Sequence, residues 1–149
     1  MRAVILGLLT LFTVQIVAAQ DGLSQIESPF DVSTTLDKLT AALESKGMTI
    51  MARVNHSRNA ENAGLTLRPT ELLIFGNPAI GTPLMNCAQT TAIDLPQKML
   101  AWQDESGKTY LGWNDPQYLK SRHGMQGCDE VLDKVSGALA NFARAATTE

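Results

Sequence analysis

Two histidines, His56 and His123, are the only imidazoles in this chain of 149 residues, and both follow polar or basic residues. Because imidazole titrates near neutral pH, each could act as an acid–base group or anchor a ligand, or could be an exposed or capping residue. Asn77 and Trp113 each lie at the end of an apolar segment that favours a strand. Side chains at the loop ends of a rigid sheet often bind ligands, so these four residues predict a pocket for a small polar ligand.

Asp94, in the segment IDLP, could hold a histidine or cap a turn, and its place two residues before a proline favours the turn. The chain has no G-x-S-x-G nucleophile elbow, and no second acidic residue makes a convincing catalytic pair with Asp94. We therefore predict a non-catalytic domain. A hydrolase or isomerase that uses a histidine base is the alternative.

Soft metal ligands are numerous, with five methionines beyond residue 19 and His123, Met125 and Cys128 close together in RHGMQGC. Methionine and histidine would suit copper, and heme is a related alternative, although the C-x-x-C-H attachment motif is absent. Methionines also fill apolar cores, which explains most of these positions. We predict no metal and no cofactor, with a copper or heme protein as the alternative.

Residues 1–19 have the composition of a secretory signal peptide, with Arg2 near the start, an apolar stretch, and small residues before cleavage after Ala19. An uncleaved anchor is the less favoured interpretation, because polar residues interrupt the apolar run. Export to the periplasm or medium favours a disulfide between Cys87 and Cys128. The remaining residues, 20–149, have the length of a single domain.

The charge balance disfavours polyanionic partners. Removal of Arg2 with the signal peptide would leave 11 Lys and Arg residues against 15 Asp and Glu residues, with no basic cluster. A net negative charge argues against nucleic acid or an anionic membrane surface as a partner.

Hydrophobic periodicity predicts the elements that must position these residues. Strands are predicted at 23–30, 48–54 and 71–75, and residues 98–104 and 108–113 form a hairpin. Helices follow Asp31, begin at Asp115-Pro116, and extend from Cys128 towards the C terminus, where apolar residues recur on one face. The fold class is α+β, an antiparallel sheet with helices packed on one side, in the order β-α-β-β-α-β-β-α and a further helix. Trp102 and Trp113 are expected to face the same side of the hairpin.

The segment LLIFGNPAIGTPLM could cradle a ligand or turn from a strand into a helix. It matches neither G-x-G-x-x-G nor the Walker pattern, so a structural turn is favoured. Thr82-Pro83 then predicts the helix start, because proline is favoured at the first helical position.

The segments LESKGMTIMARVNH, IFGNPAIGTPLM, AIDLPQKMLAWQD and GKTYLGWNDPQYLKSRH together resemble the domain of unknown function 302 family, over about residues 24–142. The resemblance implies a compact fold like that of the TATA-binding protein and suggests homodimers, but it supplies no activity. Trp113 stands where the family often has tyrosine. The signal peptide and cysteine pair resemble a secreted branch. We thus expect an exported, homodimeric, non-catalytic binding domain.

Overall fold

The structure, a computed structural model, describes Val17–Ala18 and residues 22–149. Within these ranges six strands form one antiparallel sheet in the order β1-β2-β6-β5-β4-β3. The strands are β1 (Val17–Ala18), β2 (Leu23–Ser28), β3 (Thr49–Asn55), β4 (Thr70–Gly76), β5 (Gln97–Gln103) and β6 (Thr109–Asn114). The helices are α1 (Val32–Glu44), α2 (His56–Asn62), α3 (Pro78–Cys87), α4 (Pro116–His123) and α5 (Asp129–Thr147), with a 3-10 helix at Gln89–Ile93.

The core lies between one face of the sheet and the helices α1 and α5, which also pack against each other. Alternate strand residues point into it, as the fully buried Phe75, Met99 and Leu111 show. The helices contribute apolar faces at three- and four-residue spacing. These faces include Leu36 and Leu39 of α1 and Leu132, Val135 and Leu139 of α5. The predicted α+β class, with helices on one side of an antiparallel sheet, is confirmed.

Helix α1 begins where the sequence predicts. The Asp31 carboxylate accepts the backbone N–H of Thr34 at 2.7 Å, which satisfies one of the donors left free at the helix start. Gly47 follows the helix with φ +72°, a left-handed conformation that glycine adopts without a steric penalty.

Helix α3 begins earlier than predicted. Asn77 is its N-cap, with Oδ1 accepting the N–H of Ala79 at 2.9 Å, and Pro78 occupies the first turn. Pro83 therefore lies inside the helix, and the prediction of a start at Thr82-Pro83 is wrong. Proline is favoured in the first turn of a helix, as the sequence analysis assumed, but the chain contains two cap–proline pairs. The helix begins at the upstream pair because that pair directly follows β4.

The two tryptophans face opposite sides of the sheet, which corrects the prediction that they share one. Trp113 pairs with Met99 across the hairpin and is 4% exposed on the helix-covered face. Trp102 pairs instead with Tyr110 on the open face, where the two rings stack with centroids 5.6 Å apart. The pairing register decides this, because neighbouring pairs point to opposite faces.

The predicted signal peptide falls on residues 1–19, of which only Val17–Ala18 lie in the described part of the chain. These two residues pair antiparallel with Ser24 and Gln25 of β2.

Candidate ligand-binding site

The structure does not bring the four predicted site residues together. His56 begins α2 directly after Asn55, at the end of the sheet where β3 pairs with Glu71. His123 ends α4 and contacts Asp94, which precedes β5 at the opposite end, because Gln97 pairs with Phe75 rather than with Glu71. A single pocket that contains both imidazoles is therefore ruled out by the antiparallel register.

The other two predicted residues have structural contacts. The Asn77 side chain caps α3 and also donates from Nδ2 to the carbonyl of Gly47 at 3.3 Å, which ties α3 to the turn after α1. The Trp113 indole belongs to the hydrophobic core. These positions correct the prediction that Asn77 and Trp113 share a site with the histidines.

His123 is held in a buried polar cluster. Its Nε2 lies 2.5 Å from Asp94 Oδ2 and its Nδ1 lies 3.0 Å from the Thr90 hydroxyl, with the imidazole 5% exposed. Arg122 reaches the other oxygen of the same carboxylate at 3.3 Å. Asp94 thus holds a histidine, the interpretation that the sequence disfavoured. A hydroxyl, an imidazole and a carboxylate in line can activate a nucleophile, yet here they join α4 to the 3-10 helix.

The contacts of the RHGMQGC segment oppose the copper and heme alternative. Cys128 is bonded to Cys87, Met125 is 3% exposed in the core, and both ring nitrogens of His123 already have partners. In the described part of the chain, no group of three or more His, Cys, Asp or Glu side chains could hold a metal ion.

The disulfide between Cys87 and Cys128 joins the end of α3 to the residue before α5, with the Cα atoms 6.3 Å apart. Leu84 is the only buried residue of α3, so packing alone holds this helix weakly. The covalent bond therefore provides much of the attachment of α3 to the body of the domain.

An apolar cleft of about 570 Å³ lies between α3 and α5, above the end of the sheet. We call it the α3–α5 cleft, and the disulfide forms part of its wall. Cavities of about 300–1,000 Å³ commonly hold small molecules. Its apolar lining includes Phe75, Ile80, Pro83, Val131, Leu139 and Phe142.

Gln97 is the polar feature inside this cleft. It alternates with Met99 and Ala101 along β5 and so points to the buried face, where it is 9% exposed. Its Nε2 is buried and has no hydrogen-bond partner among the described residues. A buried amide donor without an acceptor costs roughly 1–3 kcal/mol, so the burial of this Nε2 calls for an explanation.

A second apolar cavity of about 270 Å³ lies on the other side of α3. Gln97, Met48 and Ile80 line both cavities, so α3 stands between two compartments that share the glutamine. Ile80 projects from α3 and is 40% exposed. Sequence reasoning missed the cleft; the available signal was a glutamine in the inward register of an otherwise apolar strand.

The fold and cleft define an α+β domain with an antiparallel sheet, helices on one face, and an apolar cavity beside its disulfide. The model of the family described as domain of unknown function DUF302 matches residues 24–142, and the chain belongs to this family. The crystal structure of an uncharacterized conserved DUF302 protein from Bacillus stearothermophilus has a TM-score of 0.76. That structure is 18% identical in sequence, and the match covers 84% of this chain and 98% of that one. At this identity the likeness shows the fold.

Curated relatives come from Brucella. The fluoride-specific ion channel FluC 1 of Brucella suis is 47% identical over 126 residues, which are 82% of this chain and 50% of that protein. FluC 1 of Brucella abortus is also 47% identical over 126 residues, or 47% of its length. This chain thus spans about half the length of the curated relatives it matches. No helix in the described ranges has both the length and the apolar character needed to cross a bilayer.

Proposed function

We propose that this protein binds a small, largely apolar molecule in the α3–α5 cleft. The observation that supports this most strongly is the cavity itself, which has a volume of about 570 Å³ and a largely apolar lining in which, among the described residues, Gln97 is the one uncharged polar side chain. A cavity of this size and lining offers apolar contact over most of the surface of a small molecule. We therefore propose an apolar ligand in place of the polar ligand that the sequence predicted.

Binding without catalysis is the role that the cleft lining favours. Among the described residues, the only ionisable side chains that line it are Glu130 and Lys134, which form an exposed ion pair at 2.6 Å. General acid–base catalysis needs a titratable group within hydrogen-bond reach of the reacting atom. His123 and Thr90 do not line the cleft, so a histidine-dependent hydrolase is less well supported.

The proposal can be tested with Nile red, a neutral dye whose fluorescence rises in apolar surroundings. Ala138→Trp would fill the cleft, because Ala138 lines it from α5. Ala145→Trp adds the same side chain at an exposed position of α5 and is the matched control. We expect saturable binding to the wild type and to the control, and affinity at least about tenfold lower for Ala138→Trp, since tenfold corresponds to only 1.4 kcal/mol. Equal binding by all three proteins would reject the cleft as the site.

We further propose that the domain forms a homodimer through the open face of its sheet. That face carries a continuous group of half-buried apolar side chains on the central strands, namely Leu72, Ile74, Leu100, Trp102 and Tyr110. Gly112 lies beneath Trp102, and a Cβ there would come within 2.9 Å of the indole. The glycine thus lets the indole lie flat and extend the apolar surface, as interfaces enriched in aromatic residues do.

Light scattering of the purified protein tests the dimer. Leu100→Lys places a charge in the middle of the open face and should yield monomers, whereas Asn141→Lys, at an exposed position of α5, should leave the dimer intact. A wild-type protein that is monomeric at high micromolar concentration would refute this part of the proposal.

Export to the periplasm or medium remains part of the proposal, supported by the composition of residues 1–19 and by the Cys87–Cys128 disulfide. Intact mass of the protein recovered from each cell fraction is the test. A mature chain that begins at Gln20 outside the cytoplasm agrees with it, and a full-length cytoplasmic chain with free thiols contradicts it.

A second candidate function is an accessory role beside a membrane ion channel, which the 47% identity to half of the Brucella channel proteins favours. Fluoride itself is a poor ligand for the cleft, because an anion in an apolar cavity needs more than one amide donor. The role would therefore be association with, or control of, a channel. If deletion of the gene leaves the fluoride sensitivity of growth unchanged, this candidate is rejected.

A further inference from the structure

The five methionines beyond residue 19 divide into two groups. Met99 and Met125 are 0% and 3% exposed in the hydrophobic core, where they fill apolar space. Met48, Met51 and Met85 come from the segment before β3, from β3 itself and from α3, yet all three line the smaller cavity of about 270 Å³. We call these three residues the methionine group. Burial in the core does not account for it, because each of its members retains exposed surface.

The place of Met51 depends on an irregularity in β3. The pairing of β3 with β4 shifts register between Ile50 and Ala52, which leaves Met51 as the extra residue of a β-bulge. A bulge bends the strand and redirects a side chain, and bulges are common beside functional sites. The Met51 side chain reaches Gly76, since a Cβ built on that glycine would lie 3.3 Å from the methionine methyl carbon. Met51 is 51% exposed, so a solute can reach it.

Hydrogen bonds hold the other two methionines on neighbouring pieces of backbone. The N–H of Met48 donates to the carbonyl of Leu43 at the end of α1, at 3.1 Å. The carbonyl of the preceding Gly47 accepts from Nδ2 of Asn77, the N-cap of the helix that carries Met85. The turn before Met48 is thus tied directly to α3. Because methionine is unbranched and has three rotatable bonds, the three sulfur atoms can adjust towards a common point.

The donor chemistry of this cavity is soft and uncharged. Among the described residues, no carboxylate, imidazole or thiolate lines it, and its polar side chains are those of Asn77, Thr82 and Gln97. Imidazole suits zinc and carboxylate suits magnesium or calcium, whereas thioether sulfur selects Cu(I). Neutral ligands leave the charge of a bound ion uncompensated, and the cost of removing an ion from water is smaller for a single charge than for two. The lining therefore favours a soft monovalent ion.

We propose that the thioethers of the methionine group, Met48, Met51 and Met85, bind Cu(I) at the smaller cavity beside α3. The group shares no residue with the RHGMQGC segment, whose side chains have partners elsewhere. A thioether cannot form a disulfide, so these ligands persist under the oxidising conditions that keep Cys87 joined to Cys128. The site is independent of the small molecule proposed for the α3–α5 cleft, although Met48 lines both cavities.

Nuclear magnetic resonance of the methionine methyl groups tests the proposal in the intact protein. The probe is Ag(I), which shares the charge and softness of Cu(I) and is not oxidised by air, added in chloride-free buffer to protein labelled with carbon-13 at the methionine methyl. We expect the signals of the methionine group to shift and to saturate at one equivalent, while those of the core residues Met99 and Met125 stay in place. Zn(II) at the same concentration should shift none of them.

Calorimetric titration of Ag(I) into matched variants measures the contribution of a single sulfur. Met51→Leu keeps an apolar side chain of similar volume at an exposed position, and Met99→Leu makes the same change in the core as the control. Loss of even an outer-shell partner typically weakens metal binding about 10–100-fold, so Met51→Leu should lower the affinity at least about tenfold and Met99→Leu should not. Absent methyl shifts at one equivalent, equal shifts of all five methionines, a matching response to Zn(II), or unchanged affinity in Met51→Leu would each overturn the proposal.

Discussion

Cys87 and Cys128 close the cleft at one end, because their disulfide ties the last residue of α3 to the residue that precedes α5. The bond spans a sequence separation of 41 residues. Helix α3 contributes one buried side chain, Leu84, to the core. The position of the cleft wall therefore depends on a covalent link more than on packing.

The double variant Cys87→Ser, Cys128→Ser should lower the free energy of unfolding by roughly 4 kcal/mol, because a loop of about this length regains conformational entropy in the unfolded chain. It should also weaken Nile red binding, since α3 is no longer held beside α5. Urea unfolding and dye titration measure the two effects. A loss of stability with unchanged dye affinity would show that the wall does not need the tether.

Replacement of Gln97 by methionine should stabilise the protein in the absence of ligand. The variant removes a buried donor that has no partner, and its similar volume avoids a cavity, so we expect a gain of about 1–2 kcal/mol in the free energy of unfolding. Gln103→Met is the comparison, because the Gln103 amide donates to the carbonyl of Gly107 and its loss should be neutral or slightly destabilising. A destabilised Gln97→Met protein would mean that the amide is already satisfied.

The buried contact between His123 and Asp94 should stabilise the packing of α4 against the segment before β5. Removal of either side chain takes away a buried hydrogen-bond partner of the other, so His123→Ala and Asp94→Ala should each cost about 1–3 kcal/mol. The double variant should cost much less than the sum of the two. Additive losses in this double-mutant cycle would contradict a direct coupling.

The N-cap of α1 gives a pH dependence of known sign. The pKa of Asp31 is lowered from its ordinary value, chiefly because its carboxylate accepts the backbone N–H of Thr34. A carboxylate with a lower pKa in the folded state stabilises the protein above its unfolded pKa of about 3.9 and loses that effect as the pH falls through the folded value. Wild type should therefore exceed Asp31→Asn in stability at pH 6 and lose the advantage near pH 2. A pH-independent difference in urea unfolding would contradict this origin.

Much of the fold followed from local patterns. The alternation in β5 and the three- and four-residue spacing in α1 and α5 are consequences of burying one face, and that requirement is visible in the residues themselves. The Asp31 cap is similarly local. Helix α3 was misplaced because two cap–proline pairs lie within seven residues, and local chemistry does not rank Asn77-Pro78 against Thr82-Pro83.

The site was much less accessible to sequence reasoning. The contact between Asp94 and His123 joins residues that are 29 positions apart, and the cleft joins α3 to α5 across a still longer stretch of chain. The local sequence around each of these residues or helices does not indicate which distant segment it contacts. The Trp102–Trp113 error had a different origin, because the faces depend on hairpin register, and a shift of one residue exchanges them.

The most direct test of the cleft is a nuclear magnetic resonance titration of the labelled protein with Nile red. We expect saturable shifts of the Gln97 side-chain amide and of neighbouring cleft residues such as Val131 and Leu139, and no comparable shift of Trp102 on the open sheet face. Shifts confined to the open face, or an unchanged Gln97 amide at saturation, would contradict the account.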